Sequence, residues 1–129
     1  MAYLHDEGEL LVLGDAFDGR TVEVGLYDDS TDLLTEDSTY SDITTEPGGD
    51  DYSPQVVDNP TVDQNDNSNA EVTMGELSFQ VSDATSSIDY VYVRDEATGD
   101  LLFTNTLDQE YDLGSIDTLD LSNIGMELQ

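Results

Sequence analysis

The chain of 129 residues contains no lysine, no cysteine and no tryptophan, and only one histidine, His5, and two arginines, Arg20 and Arg94. Without cysteine there is no disulfide framework, no thiolate nucleophile and no cysteine zinc site. No serine or threonine is tied to His5 by sequence spacing, so a nucleophile–base–acid triad has no support, and His5 reads as an exposed terminal side chain. Two cations cannot neutralise a phosphate backbone or hold an anionic bilayer, which excludes nucleic acid and charge-driven membrane docking as expected partners. Long apolar runs are missing as well. The longest uncharged one, Leu10 to Leu13, is four residues, far short of the roughly 18–20 that a membrane span needs. Met1 to Glu9 also lacks the cationic start of a secretion signal. If the chain leaves a cell, the expected route is a different one, such as inside an assembled particle.

What is present is acid. The chain carries 31 Asp and Glu, of which 21 are Asp and ten Glu, for a formal net charge of -29. At ordinary ionic strength that self-repulsion opposes compaction. At molar salt the Debye length falls to about 3 Å and most of the repulsion is screened. Short hydrated carboxylates in place of flexible ammonium stems thus point to a protein adapted to a nearly saturated saline environment. An acidic interaction tail would carry its charge in blocks, whereas these acids are spread from Asp6 to Glu127. A mimic of DNA would line its acids along one face. Leu, Ile, Val and Phe make up 32 of the 129 residues, above the roughly 20% below which a highly charged chain stays disordered. One small folded domain spanning residues 1–129, with a thin core, is the expectation.

Along the chain, Leu10, Leu11, Leu13 and Phe17 recur at helical intervals after Asp6, with Glu9 at capping-box distance, which predicts a short helix over about 7–17. Thr21 to Tyr27 alternates as a half-buried strand. Residues 28–51 are Asp, Ser, Thr and Gly with few large apolar residues. They predict a long loop, with at most one short strand, whose carbonyls need solvent or a partner. Tyr52 to Val57 predicts a second strand, and Thr61 to Ala70 a turn. Glu71 to Val81 alternates twice with a slip at Gly75-Glu76, the mark of a bulge. Ile88 to Arg94 is apolar on both faces and leads through Thr98-Gly99 into Leu101 to Thr106, which predicts a hairpin at the sheet centre. Residues 119–128 supply one or two closing strands. Six to eight short strands behind one helix describe a mainly β domain, an antiparallel β-sandwich or jelly-roll-like fold.

Sites of chemistry are hard to find in this pattern. Carboxylates are so abundant that no pair stands out as a general acid and base. Asp63, Asn65 and Asn67 have the spacing of the first three ligands of a calcium loop, but Ser68 stands where that loop needs glycine and Met74 where it needs a bidentate acid. No catalytic, cofactor-binding or metal residue is therefore expected, and the chain does not read as an enzyme. Tyr90 and Tyr92 point the same way along one strand, suited either to a sheet core or to a subunit contact. Arg20 and Arg94 are each expected to pair with carboxylates as structural anchors, and Arg94 is followed by Asp95 and Glu96.

The order of pieces resembles a family of small tailed-phage virion proteins, fibre-like or capsid-associated. The resemblance lies in GELLVLGDAF (Gly8 to Phe17), VEVGLYDD (Val22 to Asp29), EPGGDDYSPQVV (Glu46 to Val57), IDYVYVRDEATGDLLFTNTL (Ile88 to Leu107) and LDLSNIGMEL (Leu119 to Leu128). Ser53-Pro54-Gln55 departs from it where relatives carry an arginine. Joined to the saline composition, the resemblance implies a virion protein of a haloarchaeal tailed virus, a capsid decoration or turret protein present in many copies. The alternatives are a tail- or fibre-associated protein and a haloarchaeal surface or adhesion domain. Implied partners are other copies of the chain and other virion proteins, such as the major capsid protein or a neighbouring turret or tail protein.

Overall fold

The computed structural model describes residues 4–128. Helix α1 (Asp6–Phe17) leads into strand β1 (Thr21–Tyr27), a four-residue helix α2 (Asp29–Asp32) and a 3-10 turn (Tyr40–Asp42). Strands β2 (Gln55–Asp58), β3 (Thr61–Gln64), β4 (Ala70–Thr73), β5 (Leu77–Gln80), β6 (Ser87–Asp95) and β7 (Leu101–Asp112) follow. A second 3-10 turn (Leu113–Ser115), β8 (Thr118–Leu121) and β9 (Gly125–Leu128) complete the described chain. The molecule is mainly β, built as a sandwich of antiparallel ladders behind one N-terminal helix.

α1 turns Leu13 and Phe17 into the core and packs on β3 and β4, while Leu11 and Val12 stay on the surface. The capping box expected from Asp6 to Glu9 does not form. His5 occupies the cap position without a side-chain hydrogen bond, and Asp6 falls inside the first turn. Glu9 turns inward instead, only 3% exposed, with Oε1 unpartnered. Three acids in that first turn, Asp6, Glu7 and Glu9, still oppose the positive end of the helix dipole.

The largest sheet has the order β2-β1-β6-β7. Its registers place Val24 opposite Val93 and Leu26 opposite Val91, so the alternation of β1 and β6 puts these four on one inner face. They join a single apolar cluster with Val72, Phe79, Leu119 and the helix residues Leu13 and Phe17. β6 is buried on its other face too, where Tyr92 is fully covered. The hairpin β6–β7 forms as expected but not at the sheet centre: β6 is interior and β7 is an edge.

Opposite this sheet lie two shorter ladders, β3-β4-β9 and β5-β8. One register runs through both, with Thr73 opposite Gly125 and Leu77 opposite Leu121. They are two arms of one ribbon, bent where Met74 donates its N–H to the Ile124 carbonyl at 3.0 Å. Gly75, at φ +74, sits in the bend. The slip in the sequence pattern at Gly75-Glu76 is this bend, and it re-aims the second half of the strand. The ladders number four, three and two strands among the described residues, not the two four-stranded sheets of a jelly roll. Part of the expected turn at 61–70 is strand: β3 pairs with β4 around a turn centred on Asn65 to Asn69.

Candidate functional site

The outer face of the four-stranded sheet is covered by residues 28–51, and the contact is organised by one carboxylate. Glu46 Oε1 accepts the hydroxyl of Tyr40 at 3.0 Å. Its Oε2 accepts those of Tyr52 at 2.7 Å and Tyr92 at 2.6 Å. Tyr52 Oη also accepts the β1 N–H of Leu26 at 3.0 Å, which ties the cluster to the sheet backbone. Hydrogen bonds to a charged acceptor contribute roughly 1.5–3 kcal/mol each, so this hub outweighs any single apolar contact of the loop. Burial, and after it Glu46, pushes the phenols of Tyr52 and Tyr92 far above their ordinary range, which keeps both hydroxyls as donors.

The backbone makes room for the hub at Gly25, which is paired with Tyr92 across the β1–β6 ladder. A Cβ at Gly25 would lie 2.2 Å from the Tyr92 ring, so only glycine lets that ring lie across β1. Tyr40 meets the Tyr92 ring edge-on with centroids 5.3 Å apart, and the Arg94 guanidinium sits 3.7 Å from the Tyr40 ring centroid. Arg94 is held from the other side by Glu23, with Nη2 to Oε2 at 2.8 Å. Carboxylate, three phenols, a cation and a second carboxylate thus form one chain of contacts, the geometry of a fastener.

The rest of the loop is held by its own acids. Asp32 accepts the N–H groups of Thr44 at 3.1 Å and Thr45 at 3.3 Å, together with both threonine hydroxyls. Asp28 accepts from Ser30 and Thr31, and Asp89 of β6 from the Asp29 N–H at 2.8 Å. At the far end Asp83 accepts the Asp50 N–H at 2.5 Å and the Asp51 N–H at 3.2 Å. It packs against Gly49, whose φ of +98 suits glycine. The sequence reading concerned the carbonyls of this segment; several of its N–H groups find carboxylates within the single chain. The donors from Ser30 hold Asp28 below the usual carboxylate range, as the N–H groups of Asp50 and Asp51 do for Asp83. Partial burial alone would raise Asp32, but the threonine donors overcome it and lower it as well.

The residues singled out in the sequence divide between this hub and ordinary structure. Tyr92 and Arg94 belong to the hub, whereas Tyr90 packs on Tyr27 with centroids 5.7 Å apart. Arg20 pairs with Asp95 at 3.0 Å. The Thr98 hydroxyl, with Arg20 adding to it, holds Asp95 below the usual range. His5 is exposed at the start of α1. Asp63, Asn65 and Asn67 are not arranged as ligands. Asn65 Oδ1 accepts the N–H groups of Asn67 at 2.9 Å and Asn69 at 3.1 Å, and Ser68 takes the left-handed turn conformation at φ 64. Among the described residues no group of three or more His, Asp or Glu is placed to hold a metal ion, and no helix is long and apolar enough to cross a membrane.

Sequence reasoning missed Glu46 and Tyr40. Glu46 stood out only as the first residue of EPGGDDY, and nothing in the spacing of Tyr40, Tyr52 and Tyr92 announces that they share an acceptor. Elsewhere, α1 and β7 border an apolar cleft of about 420 Å³ that includes Val12, Ala16, Leu102, Phe103, Met126 and Leu128. No protein-family model, no curated protein and no solved structure matches this chain.

Proposed function

We propose that the chain is a virion structural protein of a haloarchaeal tailed virus, a capsid decoration or turret protein that attaches in many copies. The observation that carries this reading is the combination of a net charge of -29 with exposed large apolar side chains. Leu11 is 66% exposed, and Val12 and Leu102 stand 51% and 37% exposed beside the apolar cleft. Acids oppose casual association, so apolar positions kept on such a surface are suited to a defined contact. The clamp of residues 28–51 fits the same role, since it gives a thin domain a second packed face with few apolar residues. Repeated contacts of modest size then add to stable attachment. The major capsid protein or a neighbouring turret or tail protein is the surface it would meet. A tail- or fibre-associated position uses the same features.

The test is the protein's copy number and position in purified particles, by mass spectrometry and low-resolution imaging. Many copies on the capsid are expected, and absence from the particle would end the reading. The saline part is tested separately. Thermal melts from about 0.1 to 3 M NaCl should show stability rising steeply as screening extends inward, and a melting temperature independent of salt would remove it.

A further inference from the structure

An edge strand offers a row of unpaired backbone groups, and proteins blunt such rows with charge, proline, bulges or short length. Most edges here carry such a device. β2 is four residues long and lies between Pro54 and Pro60. β3 and β9 each include an acid, Asp63 and Glu127. β7 is different in its two halves. From Asp108 to Asp112 it carries three acids, and its register to β6 jumps between Thr106 and Tyr111; a second jump, between Phe103 and Leu101, makes Leu102 the extra residue of a bulge and leaves Phe103 to Thr106 as the regular part of the edge. From Leu101 to Leu107 the sequence is LLFTNTL, seven residues without acid or proline, the longest acid-free stretch in the chain. In a protein with 31 acids among 129 residues, the one long edge is thus left uncharged along half its length.

The backbone of that edge is open, while its Asn105 side chain accepts the Gly125 N–H of β9 at 2.8 Å. Among the described residues, no backbone hydrogen bond outside the β6 ladder reaches residues 101–106. A cleft of about 470 Å³ runs beside Leu101 to Thr104, bounded on the other side by Leu34 to Ser38. Leu102 and Thr106 are exposed.

We infer that the Leu101–Leu107 edge of β7 pairs antiparallel with the same edge of a second copy, about a two-fold axis at Thr104. The charge pattern selects this occupant. A strand from most parts of this chain would bring acids against the sheet, and a basic strand would be drawn to the acidic surfaces elsewhere. The acid-free edge meets no like charge in its own copy. Leu102 then faces Thr106 of the second copy, and Leu101 faces Leu107. Asp100 and Asp108 meet only at the two ends of the pairing, so association strengthens with salt. The inference deepens the multi-copy reading above, but only its biological setting rests on that reading, because the isolated full chain suffices to test it.

Sedimentation of the full chain in about 3 M NaCl should show a dimer that dissociates as salt falls. Leu102→Asp with Thr106→Asp places like charges opposite each other and should leave a monomer with unchanged circular dichroism. Leu102→Asp with Thr106→Lys should restore the dimer. Register is read by cysteine, which the chain lacks: Leu102→Cys and Thr106→Cys chains should cross-link when mixed, and neither alone, because like positions lie four residues apart, roughly 13 Å. A wild-type monomer at every salt, a dimer indifferent to the double aspartate variant, or cross-linking of either cysteine chain by itself would overturn the inference. A monomer that still occupies the particle in many copies would sink the edge pairing and spare the particle reading, and a dimer absent from particles would do the reverse.

Discussion

The inner face of the four-stranded sheet and its outer face are buried by different chemistry. Val22, Val24, Leu26, Val91 and Val93 seal the inner face within one apolar cluster. On the outer face, Tyr92, Tyr52 and Tyr40 converge on Glu46, and Arg94 stacks on Tyr40. Apolar burial is non-directional and tolerates small shifts, whereas the outer seal depends on distances of 2.6 to 3.0 Å to one carboxylate. A chain with few apolar residues can therefore still bury a sheet on both sides, provided its acids serve as acceptors for its own hydroxyl and N–H groups. The cost is sensitivity: the outer seal can be opened by chemistry that leaves the inner one intact.

The comparison is broken most completely from the inside. Val91→Asp puts an unpaired charge in the apolar cluster and should cost about 3–5 kcal/mol, enough to abolish the cooperative melt followed by circular dichroism even in molar salt. Retention of a wild-type melt would mean that the inner face is not the dominant seal.

Glu46→Ala acts mainly on the outer face, reaching the inner cluster only through Tyr52, whose ring stacks on Phe79 with centroids 6.2 Å apart. It removes the common acceptor of three hydroxyls, and with about 1–3 kcal/mol at stake for each buried donor left unpaired, a loss of about 3 kcal/mol is expected. The signature is local: protease cleavage within residues 28–51 should accelerate while the β6 amides stay protected from hydrogen exchange. Glu46→Gln, which keeps an acceptor oxygen but adds two donors, should fall between wild type and alanine. Equal loss of protection on both faces would show that the two seals are one cooperative unit.

A smaller effect comes from pH. Asp28, Asp32 and Asp83 have folded values below their ordinary range. Their contribution is therefore fully present above the unfolded carboxylate value of about 3.9 and is lost as pH falls through the lowered folded values. Between pH 7 and 5 the Thr44, Thr45, Asp50 and Asp51 amides should keep their protection from exchange. Below about pH 4 they should lose it before the core strands do. Simultaneous loss would assign the acid response to the whole domain and not to its outer seal.

This division also explains what could be read from the sequence. The inner face obeys a period: Val22, Val24 and Leu26 alternate, Leu10, Leu13 and Phe17 recur helically, and even the bend at Gly75 appears as a break in phase. The edge position of β7 does not follow from any local pattern, because strand order is set by which ladders close, and the Asp6 cap failed because the helix starts one residue earlier, with His5 at the cap position. The outer face has no period at all. Tyr92 and Glu46 are 46 residues apart, and an acid that accepts three hydroxyls looks the same in sequence as the 30 others. Arg94 was expected to find a carboxylate, and it did so at Glu23 across the sheet, while its neighbour Asp95 went to Arg20.

The smallest expected effect is at His5, which belongs to neither face. It is exposed at the start of α1 and makes no side-chain cap; only its carbonyl takes part in the helix, accepting the Glu9 N–H at 2.8 Å. His5→Ala keeps that carbonyl and should change the melting free energy by less than about 0.5 kcal/mol, as for a surface position away from any packed feature. If the protein is a particle component that acts through contact area, assembly and infectivity should be equally unaffected. A variant that folds, joins the particle and yet abolishes infectivity would locate a chemical role at the N-terminus. The contrast to explain would then lie between the sheet as a whole and the helix that leads into it.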